Sequence, residues 1–492
     1  MSTRPPGVVA FQFVELELES AVGMALAVTQ RLICGKRRHA ILIPTMSDLL
    51  DDAAKRANRY LESLDTRSVA PAKEAVAALA GFDQAFPEHT STAEAVLAEL
   101  DEIGSPATMA SAGGRFFGFV IGGALPVTVA ANWLAAAWDQ NAGLVVTSPT
   151  NAALENVSLR WAKDILHLPL QSAGGFVTCA TAANFSALAA ARHALLLRAG
   201  WDVEANGLFG APPLSVVVGD EVHASVQKAL SLVGFGRDRV VRVPVDAQGR
   251  MRLDAFPEVD GRTIVCVQAG NVNSGAFDPI PEICERAHSH GAWVHVDGAF
   301  GMWAAAAPAR AHLVRGVEDA DSWATDAHKW LNVPYDSGLV FTRDADALRK
   351  AMSIGGAYLA QDEDRVPYQY TPDFSRRARG IEVWAALRQL GRRGLADLIE
   401  RTCRCAGQFA EGLRAAGYCV LNDVVLNQVL VSFGSSERTR EVIARVQHDG
   451  TCWCGGTVWQ GHTAMRISVS SWATTEADVE RSLAAILRVA SY

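Results

Sequence analysis

The stretch Ser322-Trp323-Ala324-Thr325-Asp326-Ala327-His328-Lys329-Trp330-Leu331 carries a short apolar strand, 322–325, straight into a turn that holds a lysine among apolar neighbours. Lysine is rarely buried, and its charge is costly to bury unless it is removed or paired. A Schiff base with a carbonyl compound removes it. Taken alone, the stretch reads more readily as a surface lysine in a loop.

A second segment lies on the N-terminal side. Trp293-Val294-His295-Val296-Asp297-Gly298-Ala299-Phe300 is an apolar strand ending in a carboxylate, 32 positions before Lys329. Pyridoxal phosphate enzymes join the cofactor to a lysine and keep its pyridine nitrogen protonated with a carboxylate, so that the ring can accept electrons. An Asp at a strand end is also a common turn former. The lysine and the aspartate in this order are more specific than either. Further out, Gly174-Gly175-Phe176-Val177-Thr178-Cys179-Ala180-Thr181-Ala182-Ala183-Asn184 is a small-residue turn from strand into helix. Its amides and the positive end of the helix suit a phosphate, with Thr181 adding a hydroxyl, although Thr in this place also serves as a plain N-cap. His223, in Gly219-Asp220-Glu221-Val222-His223-Ala224-Ser225, opens another helix and suits either a cap or a stack on a cofactor ring.

Around these segments the chain alternates. Strands are expected at 176–178, 214–218, 240–245, 263–267, 292–296, 322–325 and 339–342, with helices near 182–198, 223–233 and 281–290. Earlier helices are expected at 48–64, 72–80 and 92–103, then an Ala-rich one through Trp133 to Trp138. Such alternation predicts an α/β fold with a mostly parallel sheet covered by helices. Its chemistry is expected at the strand ends. A helix-rich stretch, 375–416, leads to a last unit of strands and helices, 417–492.

Composition narrows the function classes. The 492 residues suit about two or three domains. A net charge of −8, with no basic tract beyond Lys36-Arg37-Arg38, argues against nucleic acid or an anionic membrane as partner. No apolar run reaches the ~20 residues of a membrane span. Nine scattered cysteines point to a reducing, cytoplasmic compartment. The pairs Cys403/Cys405 and Cys452/Cys454 lack the partners a metal site needs, so no metal is expected. Residues 1–45 are expected to be a loosely attached extension and not a signal peptide, because Glu15, Glu17 and Glu19 precede the apolar run where a signal peptide carries positive charge. Met46 is the better start, because Asp48 suits the cap of the helix that follows.

Together the segments resemble the group II pyridoxal phosphate-dependent amino acid decarboxylases, the family of aromatic-L-amino-acid, glutamate and histidine decarboxylases. The block Asp326-Ala327-His328-Lys329-Trp330-Leu331-Asn332-Val333-Pro334-Tyr335-Asp336 is highly specific to that family, and the likeness runs from about Met46 to the C-terminus. The resemblance implies a type I aminotransferase-like fold, with a large domain at 126–385 and a small C-terminal α+β domain at 386–492. A helical segment at 46–125 would contribute to a homodimer with interface active sites. The cofactor implied is pyridoxal 5'-phosphate. By position, Lys329 would carry it, Asp297 would meet its pyridine nitrogen, His223 would stack on the ring and Ala299 would pack on the other face. Ala180, Thr181, Asp326 and His328 match the phosphate pocket, with Asp326 standing where the family frequently has Asn.

The implied reaction is decarboxylation of an L-amino acid to its amine. In the family a mobile loop supplies a tyrosine that protonates the α-carbon. The equivalent segment here, 355–375, contains Tyr358, Tyr368 and Tyr370, with Tyr368 the first candidate and Tyr370 the second. Arg115-Phe116-Phe117-Gly118-Phe119 resembles the aromatic stretch of the substrate pocket, which favours an aromatic or large apolar amino acid. Arg115 leaves glutamate or aspartate open. The rival chemistries are transamination, oxidative decarboxylation-deamination to an aldehyde, and binding without catalysis.

Overall fold

The computed structural model describes residues 46–354 and 365–491. The first 45 residues and Tyr358 lie outside the described residues. At the centre is a seven-stranded sheet of β1 (Ala173–Val177), β2 (Ser215–Gly219), β3 (Val241–Val243), β4 (Thr263–Gln268), β5 (Trp293–Asp297), β6 (Ser322–Asp326) and β7 (Gly338–Thr342). Their order is β1-β7-β6-β5-β4-β2-β3. The β6–β5, β5–β4, β4–β2 and β2–β3 pairs are parallel, and β7 runs antiparallel to both its neighbours. Every residue of β4, β5, β6 and β7 is buried, as expected of strands covered by helices on both faces.

The described helices include α1 (Met46–Ser63), α2 (Pro126–Trp138), α3 (Pro149–Ile165), α4 (Ala180–Arg198), α5 (Ala224–Leu232), α6 (Ile280–His288), α7 (Ala345–Met352), α8 (Gly380–Ala415), α9 (Ser436–Asp449) and α10 (Glu476–Ala490). Two large apolar clusters sandwich the sheet. On one face α4 and α5 contribute Ala187, Leu188, Leu195, Val226 and Leu230. On the other, α6, α8 and the turn around Trp303 contribute Ile283, Trp303 and Leu398. Gly391, at φ 56° and ψ −173°, breaks α8 into two helices. Residues of α8 as far as Cys403 pack in the core of the large sheet, and those from Cys405 onward join the C-terminal core.

That C-terminal unit is a four-stranded antiparallel sheet, β10-β11-β9-β8, made of β8 (Cys419–Val420), β9 (Gln428–Ser432), β10 (Gly455–Trp459) and β11 (His462–Ser468). The 115–119 segment is built into this unit: the Phe117 N–H donates to the Trp453 carbonyl, and the Ser468 N–H donates to the Phe117 carbonyl. Among the described residues no helix is long and apolar enough to cross a membrane.

Candidate active site

Four strand ends and helix starts converge. Asp297 closes β5 and Asp326 closes β6, next to the Lys329 turn. The β1–α4 turn brings in Ala180, and His223 caps α5 just after β2. Parallel strands carry their C-terminal ends to one edge of the sheet, so residues distant in sequence meet there.

The Lys329 ammonium lies 2.9 Å from Asp326 Oδ2, and its side chain keeps 18% exposure while that of Asp326 keeps 2%. Asp326 Oδ1 accepts the Ala180 N–H at 2.6 Å, at the first turn of α4. The negative charge of Asp326 is therefore met by an ammonium and by the positive end of a helix. His328 Nε2 lies 3.6 Å from Asp326 Oδ2, its Nδ1 accepts the Ser337 N–H at 3.1 Å, and its ring packs on Tyr335. Burial lowers the His328 pKa, with Asp326 opposing.

The turn is clamped from outside. Asn332, at φ 56°, donates from Nδ2 to the Trp330 and Ser470 carbonyls and accepts the Trp472 N–H. Trp330 Nε1 donates to Thr402 Oγ1 at 3.0 Å. Gly122 lies directly against the Lys329 carbonyl.

Asp297 is 5% exposed, and its carboxylate meets only neutral donors. Oδ2 lies 3.3 Å from Asn184 Nδ2 and 3.3 Å from Ser225 Oγ, and Oδ1 accepts the Ala299 N–H at 3.3 Å. Among the described residues it forms no ion pair, so this buried carboxylate is suited to a cationic N–H from a ligand. His223 Nδ1 lies 2.7 Å from Ser225 Oγ and accepts the Ser225 N–H. Burial lowers the His223 pKa; Lys329 and Arg466 push the same way, and Asp297 and Asp326 oppose. The imidazole is thus held neutral near pH 7. The N-cap Cys179 makes no side-chain bond to the first turn of α4, and Thr181 stands in that turn with amides available to an anion.

The residues present fit pyridoxal phosphate: an accessible lysine amine, a buried carboxylate with no ion pair among the described residues, a neutral imidazole and a helix N-terminus whose N-cap residue makes no side-chain bond. A model of the pyridoxal-dependent decarboxylase conserved domain matches residues 76–434. The chain belongs to the pyridoxal-dependent decarboxylase family. It is a pyridoxal phosphate-dependent carboxy-lyase of amino acid metabolism. The aromatic-L-amino-acid decarboxylase of Bacillus atrophaeus is 26% identical over 386 residues, covering 74% of this chain and 78% of that protein. The phenylacetaldehyde synthase of Arabidopsis thaliana is 27% identical over 377 residues, 70% of this chain and 76% of its own length. Among solved structures, Oryza sativa TDC with PLP and tryptamine shares the fold, with a TM-score of 0.83 at 23% identity over 90% of this chain and 97% of that one.

In this pyridoxal-dependent decarboxylase, the residues expected as substrate contacts and loop acid are engaged in packing within the chain. Arg115 is 3% exposed; its guanidinium donates to the carbonyls of Thr451, Leu64, Asp65 and Arg67, and its Nε lies 3.9 Å from Asp478. Phe116 stacks on Trp453 at 5.1 Å, and Phe117 meets Phe409 edge-on in the C-terminal core. Tyr368 is 4% exposed with its ring on Phe374, and Tyr370 lies under the Arg365 guanidinium. Arg115, Phe116 and Phe117 pack against segments distant in sequence, whereas Tyr368 and Tyr370 pack against Phe374 and Arg365 of their own stretch. Conversely, Asn184, Ser225, His295, Gly122 and Arg466 were not foreseen. His295 had a signal, because residues i and i+2 of a strand share a face and His295 stands two before Asp297.

Proposed function

We propose that this enzyme converts an aromatic or large apolar L-amino acid to its amine and carbon dioxide, working as a homodimer. The observation that carries the chemistry is the buried Asp297 carboxylate, which has hydrogen-bond donors but no ion-pair partner among the described residues. Such a group keeps a proton on a pyridine nitrogen, and that proton makes the ring an electron sink. When bound, pyridoxal phosphate supplies that sink for the electron pair left on the α-carbon as carbon dioxide departs. Lys329 would hold the cofactor through its amine. His223 and Ala299 would hold the ring and the first turn of α4 at Thr181 the phosphate, with His328 and Asp326 beside them. One proton is then added to the α-carbon, and the amine leaves.

Support for the substrate class comes from the relatives, since the Bacillus protein is named for aromatic L-amino acids. Glutamate or aspartate loses the support of Arg115, whose guanidinium is buried against carbonyls and Asp478. Support for the dimer comes from α2, which leaves Leu134 55% and Trp138 46% exposed.

A second reading, oxidative decarboxylation-deamination to an aldehyde, is favoured by one observation: Tyr368 and Tyr370 are both engaged in packing and are poor mobile acids. A carbanion left unprotonated can meet oxygen, and a relative is named for an aldehyde product. The test is a product screen. Purified protein with pyridoxal phosphate meets each common L-amino acid, and amine, aldehyde, keto acid and carbon dioxide are followed by mass spectrometry. Amine with carbon dioxide from an aromatic substrate is the expected result; aldehyde in its place establishes the second reading.

A further inference from the structure

A directional chain of hydrogen bonds runs through the sheet to Asp297. Trp293 Nε1 can only donate, and it donates to Ser322 Oγ at 2.9 Å. The Ser322 hydroxyl proton is then free to serve His295 Nδ1, 3.0 Å away. A neutral imidazole that accepts at Nδ1 carries its proton on Nε2. Nε2 lies 2.9 Å from Asn184 Oδ1, so the carboxamide oxygen faces the histidine. Its nitrogen must then face the other way, toward Asp297 Oδ2 at 3.3 Å. Trp293, Ser322, His295 and Asn184 are all buried, so water does not compete for these groups.

We propose that Asn184 is a positioning residue for Asp297: its carboxamide, turned by His295, presents an N–H to one carboxylate oxygen and so fixes how Asp297 meets the ring nitrogen of the cofactor. This rests on the role given to Asp297 above. The hydrogen-bond sense, more than the volume of Asn184, is what matters. Asn184→Asp keeps the shape and the acceptor for His295 but turns a second carboxylate oxygen toward Asp297. Asn184→Ala removes the group and leaves a gap.

The experiment measures the dissociation constant for pyridoxal phosphate from its visible absorbance in wild type and both variants between pH 6 and 8.5. Both variants should bind at least about tenfold more weakly, the size of one hydrogen bond to a buried charge. Asn184→Asp should be the weaker, and its deficit should shrink as pH falls, because the protonated carboxyl can again donate. A packing role predicts the reverse order, with Asn184→Ala the weaker at every pH, and that order overturns the proposal, as does wild-type binding in both. His295→Phe provides an independent arm if the Asn184 variants do not fold. It keeps an aromatic ring and removes the donor that turns Asn184. Weakened cofactor binding with native circular dichroism is expected, and unchanged binding overturns the proposal. Absence of any visible band in wild type would instead overturn the reading of Lys329 and Asp297 on which this rests.

Discussion

Gly122 and Lys329 touch through their backbones: a Cβ on Gly122 would sit 1.8 Å from the Lys329 carbonyl oxygen. The neighbouring Leu125 N–H donates to the Asn332 carbonyl at 2.8 Å. The segment before α2 therefore lies flat on the lysine turn and can do so only without a side chain at 122. Gly122→Ala must push the two backbones apart. It should lower stability by about 3 kcal/mol, the upper end of overpacking costs, and weaken cofactor binding as well. Denaturant midpoints and the visible absorbance titration check the two effects separately.

Asp326 places a carboxylate at the first turn of α4, where the family frequently has a neutral amide and where the phosphate is proposed to bind. Asp326→Asn removes that like charge, and the dissociation constant for pyridoxal phosphate should fall about tenfold, the effect of ~1.4 kcal/mol. Pyridoxal without the phosphate is the control and should change less. Lys329→Ala should abolish both the visible band and turnover.

Tyr368→Phe removes a hydroxyl from a ring already packed on Phe374. Amine should remain the product, with stability changed by less than about 1 kcal/mol. A switch from amine to aldehyde on Tyr368→Phe in the mass-spectrometric product assay would instead make Tyr368 the acid.

Burial lowers the His295 pKa to about 4, so the native state holds the neutral ring. The unfolded chain binds a proton near 6.5, so the contribution of His295 is full above that pH and is lost as pH falls toward 4. Asp278 acts in the same window with the opposite sign: burial raises its pKa to about 6, and its contribution is lost as pH rises. The wild-type stability curve therefore hides both. The difference between wild type and His295→Phe isolates the histidine. The destabilisation by His295→Phe at pH 7 should shrink by about 3 kcal/mol on going to pH 4, measured by denaturant unfolding.

Much of the frame is legible without coordinates. Each of the seven expected strands overlaps a strand of the large sheet, because parallel strands buried on both faces are continuous apolar runs in sequence. Lys329 and Asp297 stand out for the same local reason: each is a charged residue at or just beyond the end of such a run. The boundaries of α4 and α5 also differ little from those expected, since small and capping residues mark them.

The amino-acid sequence by itself determined the order of strands and helices, the strand ends where chemistry collects, and the lysine and aspartate that stand there. Only the tertiary structure decided which further polar groups reach them. Asn184, Ser225 and His295 lie on three different elements and meet because β2, β4, β5 and β6 align in parallel beside α4. It also decided the partners of Arg115, Phe116 and Phe117, since Thr451, Trp453 and Phe409 come from distant parts of the chain. The physical reason is the same throughout. An apolar or charged side chain states locally that it needs a partner, and long-range packing chooses which one it gets.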